Sequence, residues 1–220
     1  DIIQAVLTTQ NDVTLWGAGQ NILNSGAFTG VVDCASIASL TFGASAASTV
    51  SLTSTGYLQI ASGGIMVDSA IGAVSSIITG GSLIGAVNSG IAGEIIVHQN
   101  NTVGTLTIAS KIIRSGGITK TGLGTLILSG ANSFLNTGSQ LSIQEGTVQL
   151  AGGNAIGDTT AVYLRQGTTF DVNNSTEVVG NLVNESNGTI ALGTSGKLTF
   201  NQTGNISYRL GQKQNPDEIL

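Results

Sequence analysis

Charge is scarce in this chain: Asp, Glu, Lys and Arg make up 9% of its 220 residues, against roughly 25% in an ordinary soluble domain. Helical bundles expose long polar faces that need many charged side chains, so that class is disfavoured. The 7 basic residues are scattered and the net charge is −5. A nucleic-acid partner, which needs clustered Lys and Arg on phosphates, is not expected. Proline occurs once, and the 32 glycines follow no G-X-Y period, which excludes collagen. Cys34 is the single cysteine, so no disulfide framework forms within the chain. Its setting, Asp33-Cys34-Ala35-Ser36-Ile37, predicts a buried thiol packing like alanine. No apolar run is long enough for a transmembrane helix, so no transmembrane segment is expected.

What is abundant is equally selective. Gly, Ser, Thr and Asn supply 98 residues, and hydrophobic residues 40%. The mean hydropathy of +0.31 is far from that of a disordered chain. Small polar residues alternating with Val, Ile and Leu, with almost no Pro, read as all-β.

The chain also repeats. Gly-Thr followed by alternating apolar residues recurs at Gly104-Thr105-Leu106, Gly124-Thr125-Leu126, Gly146-Thr147-Val148, Gly167-Thr168 and Gly188-Thr189-Ile190. In the fourth copy the apolar pair Phe170 and Val172 is displaced by one position, which predicts a bulge. Other short strands fall between, at Gln140–Ile143, Ala161–Leu164 and Lys197–Phe200. Such strands, about three per repeat, are too short to stand alone, but together they build one coil of a stack. The expected fold is therefore an all-β, single-stranded right-handed parallel β-helix (β-solenoid) of about 21 residues per coil. Leu106, Leu126, Val148 and Ile190 should stack inside, and Thr105, Thr125, Thr147, Thr168 and Thr189 at a corner whose Gly takes angles closed to other residues.

The first hundred residues have a similar grammar. Leu40-Thr41-Phe42, Val50-Ser51-Leu52, Leu58-Gln59-Ile60 and Ile65-Met66-Val67 read as separate strands, with Ser54-Thr55-Gly56 and Ser62-Gly63-Gly64 as turns. Ile2–Leu7 reads as a further strand, with an amphipathic cap as the alternative. Residues 1–207 form one continuous solenoid, clearest over 104–200, and 208–220, with the only Pro, form a cap, tail or linker. A start at Asp1 without a leader marks a processed or excised segment.

The stretch Ser115-Gly116-Gly117-Ile118-Thr119-Lys120-Thr121-Gly122-Leu123-Gly124-Thr125-Leu126-Ile127-Leu128-Ser129-Gly130-Ala131-Asn132 resembles the passenger-associated repeat of bacterial autotransporters. Glu145–Leu150 and Asn154–Gly157 look like its continuation, and Ala61–Val67 and Ile96–Asn101 are similar to segments of large surface proteins of that group. The resemblance implies a right-handed β-helix, exported to a Gram-negative-type outer surface, extracellular or at the cell surface. It implies no single activity, since the repeat belongs to the scaffold. The C-terminal outer-membrane barrel of such proteins is not in this sequence.

Chemistry is thinly represented. His98, the only histidine, ends a strand without the clustered ligands of a metal site. No G-x-S-x-G elbow is present. Gly193–Leu198 only faintly resembles a phosphate loop, and Gly152–Asp158 lacks the spacing of a calcium repeat. Asp158, Arg165, Asp171 and Glu177 are the one group worth testing as a glycan-cleaving site; the simpler reading is isolated surface charges. An ice-binding face needs two Thr columns, and Thr107 is followed by Ile127 and Gln149. Seven N-x-S/T sequons begin at Asn100, Asn173, Asn174, Asn184, Asn187, Asn201 and Asn205.

The resulting expectation is a non-enzymatic structural or adhesive stalk with no catalytic, cofactor or metal residues. Its partners would be further copies stacked head to tail into filaments, or neighbours in a longer array, together with host-cell, matrix or glycan surfaces. A carbohydrate-active enzyme and a ligand- or ice-binding solenoid are the alternatives.

Overall fold

A computed structural model of the chain describes residues 7–88, 91–132, 139–185, 187–201 and 207–208. Ile2–Val6 and the proposed tail from 209 onward lie outside the described residues. The described part is all-β, apart from single 3₁₀ turns at Val13–Leu15 and Ser69–Ile71.

The strands stack in parallel. The first wall holds β1 (Leu7–Thr9), β2 (Asn21–Leu23), β4 (Ser39–Phe42), β6 (Gly64–Val67) and β11 (Glu94–Gln99). It continues through β14 (Gly117–Thr121), β16 (Gln140–Ile143), β18 (Ala161–Leu164), β21 (Asn181–Asn184) and β24 (Ser207–Tyr208). The second wall runs from the start of β5 (Ser48–Ile60) through β7 (Ser76–Thr79), β12 (Thr105–Ile108) and β15 (Thr125–Leu128). β17 (Thr147–Leu150), β19 (Thr169–Asp171) and β22 (Thr189–Ala191) complete it. A third wall pairs β3 (Val32–Ile37) with the end of β5, then β8 (Ser82–Ile84) and β13 (Lys111–Ile113). It resumes as β20 (Thr176–Val179) and β23 (Lys197–Phe200). Among the described strands only the insert β9 (Val87–Asn88) and β10 (Ile91–Ala92) pair antiparallel. From β6 to β15 the chain visits the walls in a fixed order, and the arrangement is compatible with a β-solenoid.

Alternation sets the facing. In β12, β15 and β17 the second and fourth residues are buried and the first and third half-buried. Leu106, Leu126, Val148 and Phe170 form one column, all 0% exposed, with Ile190 partly buried beneath. Burying each such side chain stabilises the fold by about 1.5–3 kcal/mol. At one end Trp16, Phe28 and Phe42 meet edge to face, with centroids 5.2 and 5.6 Å apart.

Five expectations need correction. The outer threonine column is Thr105, Thr125, Thr147, Thr169 and Thr189, not Thr168. The extra residue is taken up in the turn before β19, where the buried Thr168 donates from N and Oγ1 to Arg165 O, so no strand bulge is needed. Val50–Leu52 and Leu58–Ile60 belong to one 13-residue strand that stays extended around a corner. At that corner Gly56 lies so close to Asp33 O that a Cβ would sit 2.2 Å away. The repeated Gly of Gly-Thr has positive φ only at Gly146 and Gly167. At Gly104 and Gly124 the need is contact, since a Cβ would come within 1.9 Å of Val74 O and 2.0 Å of Asn101 O in the preceding coil. Finally, Cys34 is exposed. In β3 the parity set by Ile37 and Ala35 turns Cys34 outward, after a register shift that follows Val32.

Candidate functional site

The outer surface of the third wall gathers side chains that the scaffold does not use. Leu58, Leu83 and Ile112 point into the core at 0% exposure, so their neighbours face outward in two columns. One column is Tyr57, Ser82 and Lys111, the other Gln59, Ile84 and Ile113. Between them lies a groove with a cavity volume of about 460 Å³, bounded at one end by Arg114. This falls within the size range of small-ligand clefts. Tyr57 is 39% exposed and Ile84, in the groove floor, 8%.

Two features set Arg114 apart. Five non-glycine residues among those described have positive φ; four are Asn, which tolerates that region, and the fifth is Arg114 at φ 50. Within the described residues, the side-chain polar atoms of Tyr57, Gln59, Ser82, Lys111 and Arg114 make no hydrogen bond or ion pair. By contrast, the corner amide of Asn101 is fully engaged. Asn101 Nδ2 donates to Gly72 O and Val74 O, and its Oδ1 accepts from Val103 N and Gly104 N.

Three polar side chains inside the stack hold coils together. Lys120 is 0% exposed, and its Nζ donates to Thr121 O (2.9 Å), Gly122 O (2.6 Å) and Glu145 O (3.0 Å). Burial pushes the ammonium pKa down to about 8, partly offset by the Glu145 charge. Asn132 spans the interruption of the third wall: its Oδ1 accepts from Ile112 N at 2.7 Å and its Nδ2 donates to Ala155 O at 2.6 Å. One coil further, Glu177 Oε2 accepts from Ala155 N at 3.0 Å, while Oε1 is buried without a partner among the described atoms. Burial raises the Glu177 carboxyl above its ordinary value; the amides of Ala155, Ile156 and Asn154 hold it back and the Asp158 charge adds to the rise.

The group Asp158, Arg165, Asp171 and Glu177 is not assembled as a groove. Glu177, expected on the surface, is 1% exposed because β20 alternation places it on the same side as Val179. Asp171 accepts from Gln149 Nε2 and from Asn173 N. Arg165 is exposed and donates to Gln144, and Asp158 is exposed in a turn. His98 lies exposed within β11, its Nδ1 against Thr121 Oγ1. The phosphate-loop look-alike is a corner in which Asn174 Oδ1 accepts from Thr194 N, Thr194 Oγ1 and Ser195 N. No group of three His, Cys, Asp or Glu placed to hold a metal occurs among the described residues. The second column of the outer threonine face reads Thr107, Ile127, Gln149, Asp171 and Ala191. No helix of the described residues is long and apolar enough to cross a membrane.

Lys120 was findable from sequence, since period-two alternation puts it on the same side as Ile118. The groove was not, because its residues come from three coils of unequal length. Comparison of the chain with protein-family models, with curated proteins and with solved structures gives no match.

Proposed function

We propose that the chain is a single-stranded right-handed parallel β-helix, serving as a non-enzymatic structural or adhesive element of an exported bacterial protein. Its coils would keep the sequence period of about 21 residues. It would stand at or beyond a Gram-negative-type outer surface, as the resemblance to the autotransporter passenger repeat implies. One observation carries the reading. The three polar residues of the repeat-like stretch that are buried, Ser115, Lys120 and Asn132, bind backbone groups of adjoining coils. A motif that couples coils is a motif of a stack, and its recurrence makes a longer stack.

The mechanism is mechanical. Strands hydrogen-bond along the axis, so the load is shared by a parallel ladder rather than by separate contacts. Coil stacking joins any two like ends, which favours either filaments of this chain or its continuation in a longer array. Negative-stain electron microscopy with intact mass on the same natively produced sample tests this. Filaments of a 22.1 kDa subunit, or rods of a larger parent, support it; round particles with turnover on a glycan panel overturn it.

A further inference from the structure

We propose that the groove on the third wall binds an acidic saccharide, with a sugar ring on Tyr57 and a carboxylate at Arg114. The inference rests on the scaffold reading and gives it a ligand class.

The argument begins with spacing. Strands β5, β8 and β13 are successive rungs, each about 4.8 Å from the next. Tyr57 on the first rung and Arg114, just beyond the third, therefore stand about 10 Å apart along the axis. That span fits two linked sugar rings better than a single small ion. The chemistry changes from rung to rung: an aromatic ring and an amide at Tyr57 and Gln59 on β5, a hydroxyl at Ser82 on β8, then the Arg114 cation beyond β13.

Each part suits a carbohydrate. A phenol ring offers a flat apolar platform with a polar tip, matching the apolar face of a pyranose. Gln and Ser both donate and accept, as sugar hydroxyls require. Guanidinium meets carboxylate in a two-bond fork.

Charge supports an anionic ligand. The protein carries a net charge of −5, yet the charged residue lining the groove is the cation Arg114, and the side-chain polar atoms lining the groove have no partner among the described residues. The left-handed backbone of Arg114 is the second indication. A non-Asn, non-Gly residue at φ 50 is in a conformation that L side chains rarely adopt, and such conformations cluster at ligand sites.

The test uses the full chain and three probes: trisaccharides of galacturonate, glucuronate and mannuronate, each with its methyl-esterified counterpart, measured by calorimetry. At least one free acid should bind, and esterification should abolish binding without any change to the protein. Tyr57→Ala and Arg114→Asn, the latter retaining a residue tolerant of positive φ, should each weaken it at least about tenfold, whereas Tyr57→Phe should stay within about threefold. Silence of all three acids at millimolar concentration overturns the proposal, as does binding that ignores the ester or the Tyr57 and Arg114 changes. Rods without uronate binding would remove the groove and leave the scaffold reading; cleavage of a bound uronate would keep the groove and remove the non-enzymatic reading.

Discussion

The two ends of the stack are held together differently. Toward Asp1 the third wall is a backbone ladder from β3 through β5 and β8 to β13, and the coils vary in length. The step from Leu40 to its partner Ile65 is clearly shorter than the next one, from Ile65 to Val97. Toward Leu220 the coils are even: Ile143 pairs with Leu164 and Leu164 with Asn184, in steps that are nearly equal. There the third wall lapses after β13, and the side chains of Asn132 and Glu177 carry hydrogen bonds from coil to coil until β20. Regularity and backbone continuity are thus separable. The uneven half, where the ladder is complete, has outward side chains to spare and carries the groove; in the even half buried side chains close the gap in the ladder.

Substitutions on the two versions of that wall should separate them most clearly. Asn132→Ala leaves the amide of Ile112 and the carbonyl of Ala155 buried without partners, a loss of about 2–6 kcal/mol at roughly 1–3 per group. Ser82→Ala, on the outer face of the backbone-paired half, should stay within about 0.5 kcal/mol. Equal losses in urea unfolding would end the distinction.

Lys120, near the junction, gives a smaller effect with a pH signature. Lys120→Ala strips the donor from three carbonyls and relieves a desolvated charge, a net loss of about 2 kcal/mol at neutral pH. The folded lysine releases its proton near about 8 and the unfolded one near 10.5. Between those values the unfolded chain binds more protons, so wild-type stability should rise with pH, and the variant should show no such rise. A flat wild-type profile from pH 8 to 10.5 would refute the buried cation.

Glu177 should give the weakest signal, again confined to the even half. Its folded carboxyl titrates above its ordinary value of 4.5, so the folded state holds more protons as pH rises past that value. Stability then falls with rising pH through that window, and Glu177→Gln should flatten the fall. Thermal melts from pH 4 to 7 read it directly.

The same contrast explains what could be read from the chain. The period, the inward Leu106–Leu126–Val148 column and the strands over 104–200 were legible because even coils place like residues at fixed separations. Cys34 and β5 were misjudged because facing there depends on a register shift and on a corner turned without a break. Glu177 was misread because its charge suggested solvent while its parity pointed inward. Tyr57, Gln59, Ser82 and Arg114 meet only after coils of unequal length are stacked, so no fixed period brings them into line.

Lys120 has a further consequence. Its column runs Ile22, Leu40, Ile65, Val97, Lys120, Ile143, Leu164 and Asn184. A row of hydrocarbon alone would let similar coils thread past one another during folding, or trade places with those of a second molecule, the characteristic failure of repeat chains. A lone ammonium is an address label in that row. The carbonyls of Thr121 and Gly122 travel with the lysine, but that of Glu145 comes from the next coil, and a chain misfiled by a single coil would bury the ammonium without that partner.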